Sequence, residues 1–312
     1  MSKFYGVDNI GQNFLINQLE MNIKSYLDSG FLNAGGFINV HRPVKNIHNN
    51  GLYKLYPVDN PNYNKGQIWQ PARKDWVHET GLDIDNRQAV MISGIYIGDT
   101  FYDTNTVGTY AYKLDYRNSR IIFDNRQLTN LNIQMSYSYR WVQVYNYVDA
   151  QWWQQIQYNS NDNEAHQKTR DRGDFAIPAN QRVQFPAVVI ETVPRGTSKP
   201  FRLGDKSLRI DQDFLLHIVA NNYTDRNNIT DILRLQEEKV LPFYDMDALV
   251  KNNKYWLNVD GTLNSNRISY DNMVNNYTWN TCMLKNMVVS EVESYNGLYE
   301  SNIRVTAEII IV

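Results

Sequence analysis

The chain has 312 residues and a formal net charge of −2, and hydrophobic residues make up 42% of it, so it can bury a large core as two packed modules or one elaborated β-rich domain. Aromatic residues reach 13%, with 22 Tyr among them, a balance that suits sheets and interfaces better than a helical bundle. The near-neutral charge excludes a nucleic-acid binder driven by overall basicity, and the single cysteine, Cys282, excludes an intrachain disulfide and a thiolate pair for zinc or redox chemistry.

The opening MSKFYGVDNIGQNFLINQLE has no charged start leading into an apolar core, and no stretch reaches the ~20 apolar residues of a membrane span, so the chain is expected to fold in a cytoplasm and to have no membrane contact. Residues 12–29 place Phe14, Leu15, Leu19, Ile23 and Leu27 at helical spacing, with Gly30 as the stop. GGFINV reads as a short strand, and residues 41–75, rich in Asn, Pro and Tyr, read as loops anchored by Tyr53, Tyr56, Trp69 and Trp76. From Gln88 to Tyr147 the pattern turns to period two, which predicts an antiparallel meander with a tight hairpin at Arg117-Asn118-Ser119-Arg120, where Asn tolerates left-handed turn geometry.

Residues 149–182 begin WW and continue with almost no apolar content, as expected of an exposed arm or loop. Beyond it VQFPAVVIETV predicts a buried strand, and DFLLHIVA a strand with Phe214, Leu216 and Ile218 on one face and Leu215, His217 and Val219 on the other. Thr224 or Asp225 is placed to cap the next helix, whose inner side carries Ile229, Ile232 and Leu233, and Pro242 breaks the segment that follows. MVVSEVESY and NIRVTAEIIIV close the chain as strands. The divisions are an N-terminal helix with aromatic loops (1–86), an antiparallel β module (87–148), the arm (149–182) and an α/β section (183–312), packed as one subunit. The expected fold is α+β and β-rich, with antiparallel sheets in a β-sandwich or barrel-like form, an N-terminal amphipathic helix and a helix packed on the C-terminal sheet.

Candidate chemistry is sparse. His217 lies on a half-apolar strand, where an imidazole is ordinarily satisfied by a backbone carbonyl, and no Ser or Cys nucleophile motif accompanies it. DIDNRQ begins like a calcium loop, but Arg87 stands where an oxygen ligand is needed and Gly94 where the closing Glu belongs. The paired acids of DQD (211–213) and DMD (245–247) read as strand-end carboxylates facing solvent, and the five histidines have no metal-ligand spacing. Phosphate-loop, dinucleotide and nucleophile-elbow motifs are absent; a glycosidase needs only two separated carboxylates, for which Glu191, Asp245 and Asp247 are the candidates. Arg195, Lys199, Arg202, Lys206 and Arg209 make residues 194–210 locally positive, either a solvated hairpin or a patch for an acidic neighbour or non-specific DNA phosphates.

The run ISGIYIGDTFYDTNTVGTYAYKLDYRNSRIIFDNRQ with IQMSYSYRWVQVY resembles a segment of virion structural proteins of tailed bacteriophages, and VVIETVPRGTSKPFRLGDKSLRIDQDFLLHIVANNYTDRNNITDIL is similar in order of elements to neck and tail-terminator subunits. The first covers about sixty residues; the second is a pattern of elements, and terminators are generally shorter than this chain. The resemblance implies a non-enzymatic virion protein without cofactor or metal, working as a homo-oligomeric ring in the head-to-tail connector beside neck, portal-adaptor or tail proteins. The expected contact residues are Trp152 and Trp153 of the arm and the basic group Arg195, Lys199, Arg202, Lys206 and Arg209. A capsid decoration or baseplate subunit is the alternative within that class, and a carbohydrate- or receptor-binding module, stacking sugars on Trp69 or Trp76, is the alternative outside it.

Overall fold

The computed structural model describes residues 15–42, 51–79, 81–84, 87–150, 184–201, 207–292 and 298–311. Helix α1 (Leu15–Asn33) leads into β1 (Phe37–Val40), β2 (Lys54–Pro57), β3 (Ile68–Pro71) and the two-residue strands β4 (Asp83–Ile84) and β5 (Arg87–Gln88). Then come β6 (Gly94–Ile97), β7 (Thr100–Asp103), β8 (Tyr112–Asp115), β9 (Arg120–Phe123), β10 (Ile133–Gln134) and β11 (Tyr137–Arg140). The remaining elements are β12 (Gln143–Asn146), β13 (Ala187–Pro200), β14 (Leu208–Ala220), α2 (Tyr223–Arg234), β15 (Val240–Tyr244), α3 (Met246–Lys251), β16 (Thr278–Val292) and β17 (Tyr299–Ile311). The fold is α+β and β-rich, with curled sheets. A seven-stranded sheet has the order β7-β6-β10-β2-β3-β9-β8, and a six-stranded sheet the order β12-β13-β14-β17-β16-β15, antiparallel except for β12 with β13.

The six-stranded sheet and both long helices share one core. Leu19, Ile23, Leu27 and Phe31 recur every four residues, which gives α1 an apolar stripe, and this stripe joins Phe214, Leu216, Ile303 and Val305 of the sheet. Ile229 and Leu233 of α2 enter the same cluster, and each such fully buried side chain contributes about 1.5–3 kcal/mol. Gly30 does not stop α1. Phe31 and Leu32 continue the buried stripe to Asn33, and the chain turns away at Gly35, whose φ of 84° suits glycine. Nor do Thr224 or Asp225 cap α2: Asn222, in extended conformation, accepts the Asp225 N–H at 2.8 Å, while its amide donates to the Asp225 carboxylate at 2.7 Å. Pro242 sits inside β15 without breaking it, because β15 is an edge strand and needs no donor on its outer side.

Residues 41–75 differ from the expected loops by contributing β2 and β3 to the middle of the seven-stranded sheet. All four residues of β3 are buried, so no polar–apolar alternation marked it in the sequence. The β8–β9 hairpin forms where expected, but Ser119 rather than Asn118 takes the positive φ, 50°, and its Oγ accepts the Asp75 N–H at 2.7 Å. The C-terminal half closes on this hairpin: Tyr116 N–H donates to the Gly261 carbonyl at 2.8 Å, and a Cβ at Gly261 would lie 2.0 Å from Asp115 Oδ1. Among the described residues no helix is long and apolar enough to cross a membrane.

Candidate functional site

Alternation along β14 sends Phe214, Leu216 and Ile218 to the helices and leaves Arg209, Asp211, Asp213 and His217 on the opposite face, as strand geometry requires. Register then places Glu308, Thr306, Arg304 and Asn302 of β17 beside them. Three polar groups result. Glu308 lies 2.6 Å from Arg209 Nη2 and 2.7 Å from Lys285 Nζ, and Arg209 Nε also reaches Asp211 at 3.4 Å. Asp213 accepts from Arg304 at 2.5 Å and from the Thr306 hydroxyl at 2.7 Å, with Arg195 Nε 4.0 Å away. Burial works against its charge, but the bonds from Arg304 and Thr306 outweigh it and hold the carboxyl below its usual range. His217, 2% exposed, has Nε2 2.6 Å from Glu191 Oε2 and Nδ1 2.9 Å from Asn302 Oδ1.

These bonds correct several sequence readings. Side chains hold both nitrogens of the His217 ring, and its carboxylate partner comes from β13. Asp211 and Asp213 lie within a strand and are ion-paired, whereas Asp245 caps α3 by accepting the Ala248 N–H at 3.0 Å. Arg226, in the first turn of α2, is 5% exposed and donates to the Glu300 carbonyl at 3.0 Å. Trp69 and Trp76 are each 1% exposed, the former donating to the Gly66 carbonyl at 2.9 Å and the latter packed edge-on to Tyr116, so neither presents a face to a sugar.

Of the expected contact residues, Arg195, Lys199 and Arg209 are brought to one sheet face, with Lys199 opposite Arg209; Trp152, Trp153, Arg202 and Lys206 lie outside the described residues. Two of the three cations face acids of their own sheet, so the local basicity of the sequence is largely compensated in the fold. β13 carries a bulge between Thr192 and Gly196, where the Gln212 amide donates to the Val193 carbonyl at 2.6 Å and a Cβ at residue 196 would press on Gln212 at 2.7 Å. From Pro194 onward β13 is exposed.

One polar centre was not foreseen. Arg140, 5% exposed, pairs with Glu79, with Asp75 at 3.5 Å and with Asp28 at 3.8 Å, and donates to the Trp76 carbonyl at 2.8 Å. It joins α1 to the β1–β11 pair. Burial opposes its charge, but Glu79, Asp75 and Asp28 outweigh that and hold it above its usual value. Burial pushes Asp28 up to about 7 against the pull of Arg140. Lys74 nearby in sequence buries its Nζ without a hydrogen-bond partner, and burial lowers it to about 8. Positions 28, 75, 79 and 140 share no spacing, so only the fold assembles them. Among the described residues no group of three His, Cys, Asp or Glu side chains is arranged to hold a metal ion. No family model and no curated protein matches this chain in sequence.

Proposed function

We propose that this chain is a non-enzymatic structural subunit of a tailed-phage virion, working as a closed ring in the neck that joins head to tail. The observation that carries this reading is the unfinished state of the six-stranded sheet. Among the described residues no strand pairs with the outer edge of β13 beyond Ile190, although its far half is exposed and held in shape by β14. Long open edges offer a row of unpaired backbone groups to another chain. The polar groups on the sheet are saturated by one another, which suits a surface that matches a neighbour better than a centre that turns over a substrate.

A ring of this kind works by geometry: each subunit offers different surfaces to the neighbours on its two sides, and the rotation between them closes. Light scattering of the purified chain and labelling of intact particles test the reading together. A discrete oligomer and label at the head–tail junction are expected. Label on the capsid shell or baseplate would move the protein within the virion, and a persistent monomer absent from particles would end the proposal.

A further inference from the structure

Among the described residues the six-stranded sheet has two open edges at opposite ends. On one side β12 covers Ala187–Ile190, and no other described strand covers the rest of β13. On the other side β15 covers β16 from Thr278 to Met283, and the Leu284 N–H and carbonyl bond to Lys239 and Glu238. From Val288 to Val292, β16 pairs only with β17 among the described residues.

Hydrogen-bond alternation fixes which groups are on offer. The Phe201 N–H donates to the Ser207 carbonyl across the hairpin at 2.9 Å, so Lys199 and Thr197 bond inward to β14 while the backbones of Ser198 and Gly196 face out. Leu284 faces out on β16, and the unbroken β14–β17 register carries the alternation past the bulge, so the backbones of Val289 and Glu291 face out too. Pro194 and Pro200, without N–H groups, frame the β13 window Arg195–Lys199. The β16 window ends at Met287, whose N–H already donates to Glu237 Oε1 at 3.2 Å.

We infer that the Arg195–Lys199 edge of one copy pairs antiparallel with the Val288–Val292 edge of a second copy, Ser198 opposite Val289 and Gly196 opposite Glu291, so that neighbouring sheets become continuous. This rests on the ring reading and adds its contact. β13 and β16 run in opposite directions within the sheet, so repeating the subunit in one orientation makes every junction antiparallel. In this register Pro200 falls opposite Met287, and the ladder stops on both strands at the same step. The stems of Arg195 and Lys199 lie over Val292 and Val288, bringing Arg195 towards Glu300, the cross-strand neighbour of Val292, and Lys199 towards exposed Glu237 and Glu238. Glu300 is a carboxyl that burial has pushed up to about 7. On the helix side, Gly196 and Ser198 are small enough to pass the cleft of about 270 Å³ between α2 and Val289. Two β13 windows paired with each other around Thr197 would instead set Arg195 against Lys199, like charge opposite like charge.

The offset of the windows has a geometric consequence. Gly196 is level with Leu284 in its own sheet but meets Glu291 of the next, a stagger of about 20 Å at ~3.4 Å per residue. Because β13 joins β16 directly, each subunit adds four strands, roughly 19 Å at ~4.8 Å per strand, so the strands tilt by about 45° to the ring axis, at the upper end of the tilt of closed β-barrels.

Thr197 and Ser290 become a non-hydrogen-bonded pair, with Cα atoms ~4.5 Å apart and within disulfide reach. The double variant Thr197→Cys with Ser290→Cys is therefore expected to give, on mild oxidation, a reducible ladder of covalent multimers ending at one size. Cys282 stays silent because it is buried and its thiol is pushed up to about 12. Covalent dimers from Thr197→Cys alone would overturn the inference by showing that β13 meets β13. An oligomer by light scattering that yields no ladder overturns the inference and leaves the ring standing, while a monomer at every concentration ends both. Ser198→Pro removes one outward N–H and leaves the β14 ladder whole; the melting curve should be unchanged and subunit dissociation at least ~10-fold easier, about 1.4 kcal/mol. Unchanged assembly of that variant counts against the contact.

Discussion

Arg140 and Arg304 both meet carboxylates, yet one sits in the seam between α1 and the β1–β11 pair and the other on an open sheet face. The Arg140 side chain is 6% exposed and has three acids around it; that of Arg304 is 47% exposed and holds one, Asp213, shared with Thr306 and Arg195. In the seam the guanidinium has left water while the side chains of Asp28, Asp75 and Glu79 are partly covered around it, so the cation depends on the acids and its removal leaves three like charges clustered. Around the half-exposed Arg304, water screens the pair and substitutes for a lost partner, so the same chemistry shapes a surface at little gain in stability. The difference teaches where to look for function here: in the pattern of the face, with the seam as its support.

Breaking the seam should have the largest effect. Arg140→Met leaves Glu79, Asp75 and Asp28 clustered without their cation and removes the bond to the Trp76 carbonyl, and a broken buried pair costs about 3–5 kcal/mol. Denaturant midpoints would show it. A loss below about 1 kcal/mol would mean that water reaches the seam and that the two regions differ less than their burial indicates.

Asp28 sharpens the contrast through pH. Its folded value is raised to about 7 from an ordinary carboxylate value, so between the two the folded chain holds a proton that the unfolded chain has released. That contribution to stability is complete below the unfolded value and is lost as pH rises through about 7. Asp213 on the face is lowered instead, so its contribution is present above the unfolded value and is lost as pH falls through the folded one. Asp28→Asn should therefore stabilise the protein relative to wild type progressively from pH 5 to pH 8. The comparison must be made variant against wild type, because Glu300, raised by burial to about 7, titrates in the same interval. A stability difference that stays flat across it would contradict the raised value of Asp28.

Periodicity made much of this architecture legible. The α1 stripe of Leu19, Ile23 and Leu27 and the alternation of Phe214, Leu216 and Ile218 with His217 are local patterns, and both elements lie where those patterns place them. β2 and β3 escaped because strands of four residues offer little pattern and β3 is buried throughout. The seam escaped for another reason: Asp28, Asp75, Glu79 and Arg140 meet only after α1, the loop before β4 and β11 have packed. Of the polar face, the residues were visible but not their partners, since Glu191 with His217 and Asp213 with Arg304 are pairings of register, set by which strands lie side by side.

The smallest expected effect belongs to Arg304→Ala. Asp213 keeps the Thr306 hydroxyl and gains water where the guanidinium was, so the loss should be at most about 1 kcal/mol. Salt then separates the two regions more cleanly than magnitude does. At 1 M ionic strength the Debye length is ~3 Å, so an exposed pair retains little of its attraction while a buried one is hardly touched. The Arg304→Ala difference should therefore vanish in high salt and the Arg140→Met difference should persist. If both persist, Asp213 and Arg304 are as secluded as the seam, and the polar face belongs to the interior of the subunit rather than to the surface it presents to its neighbours.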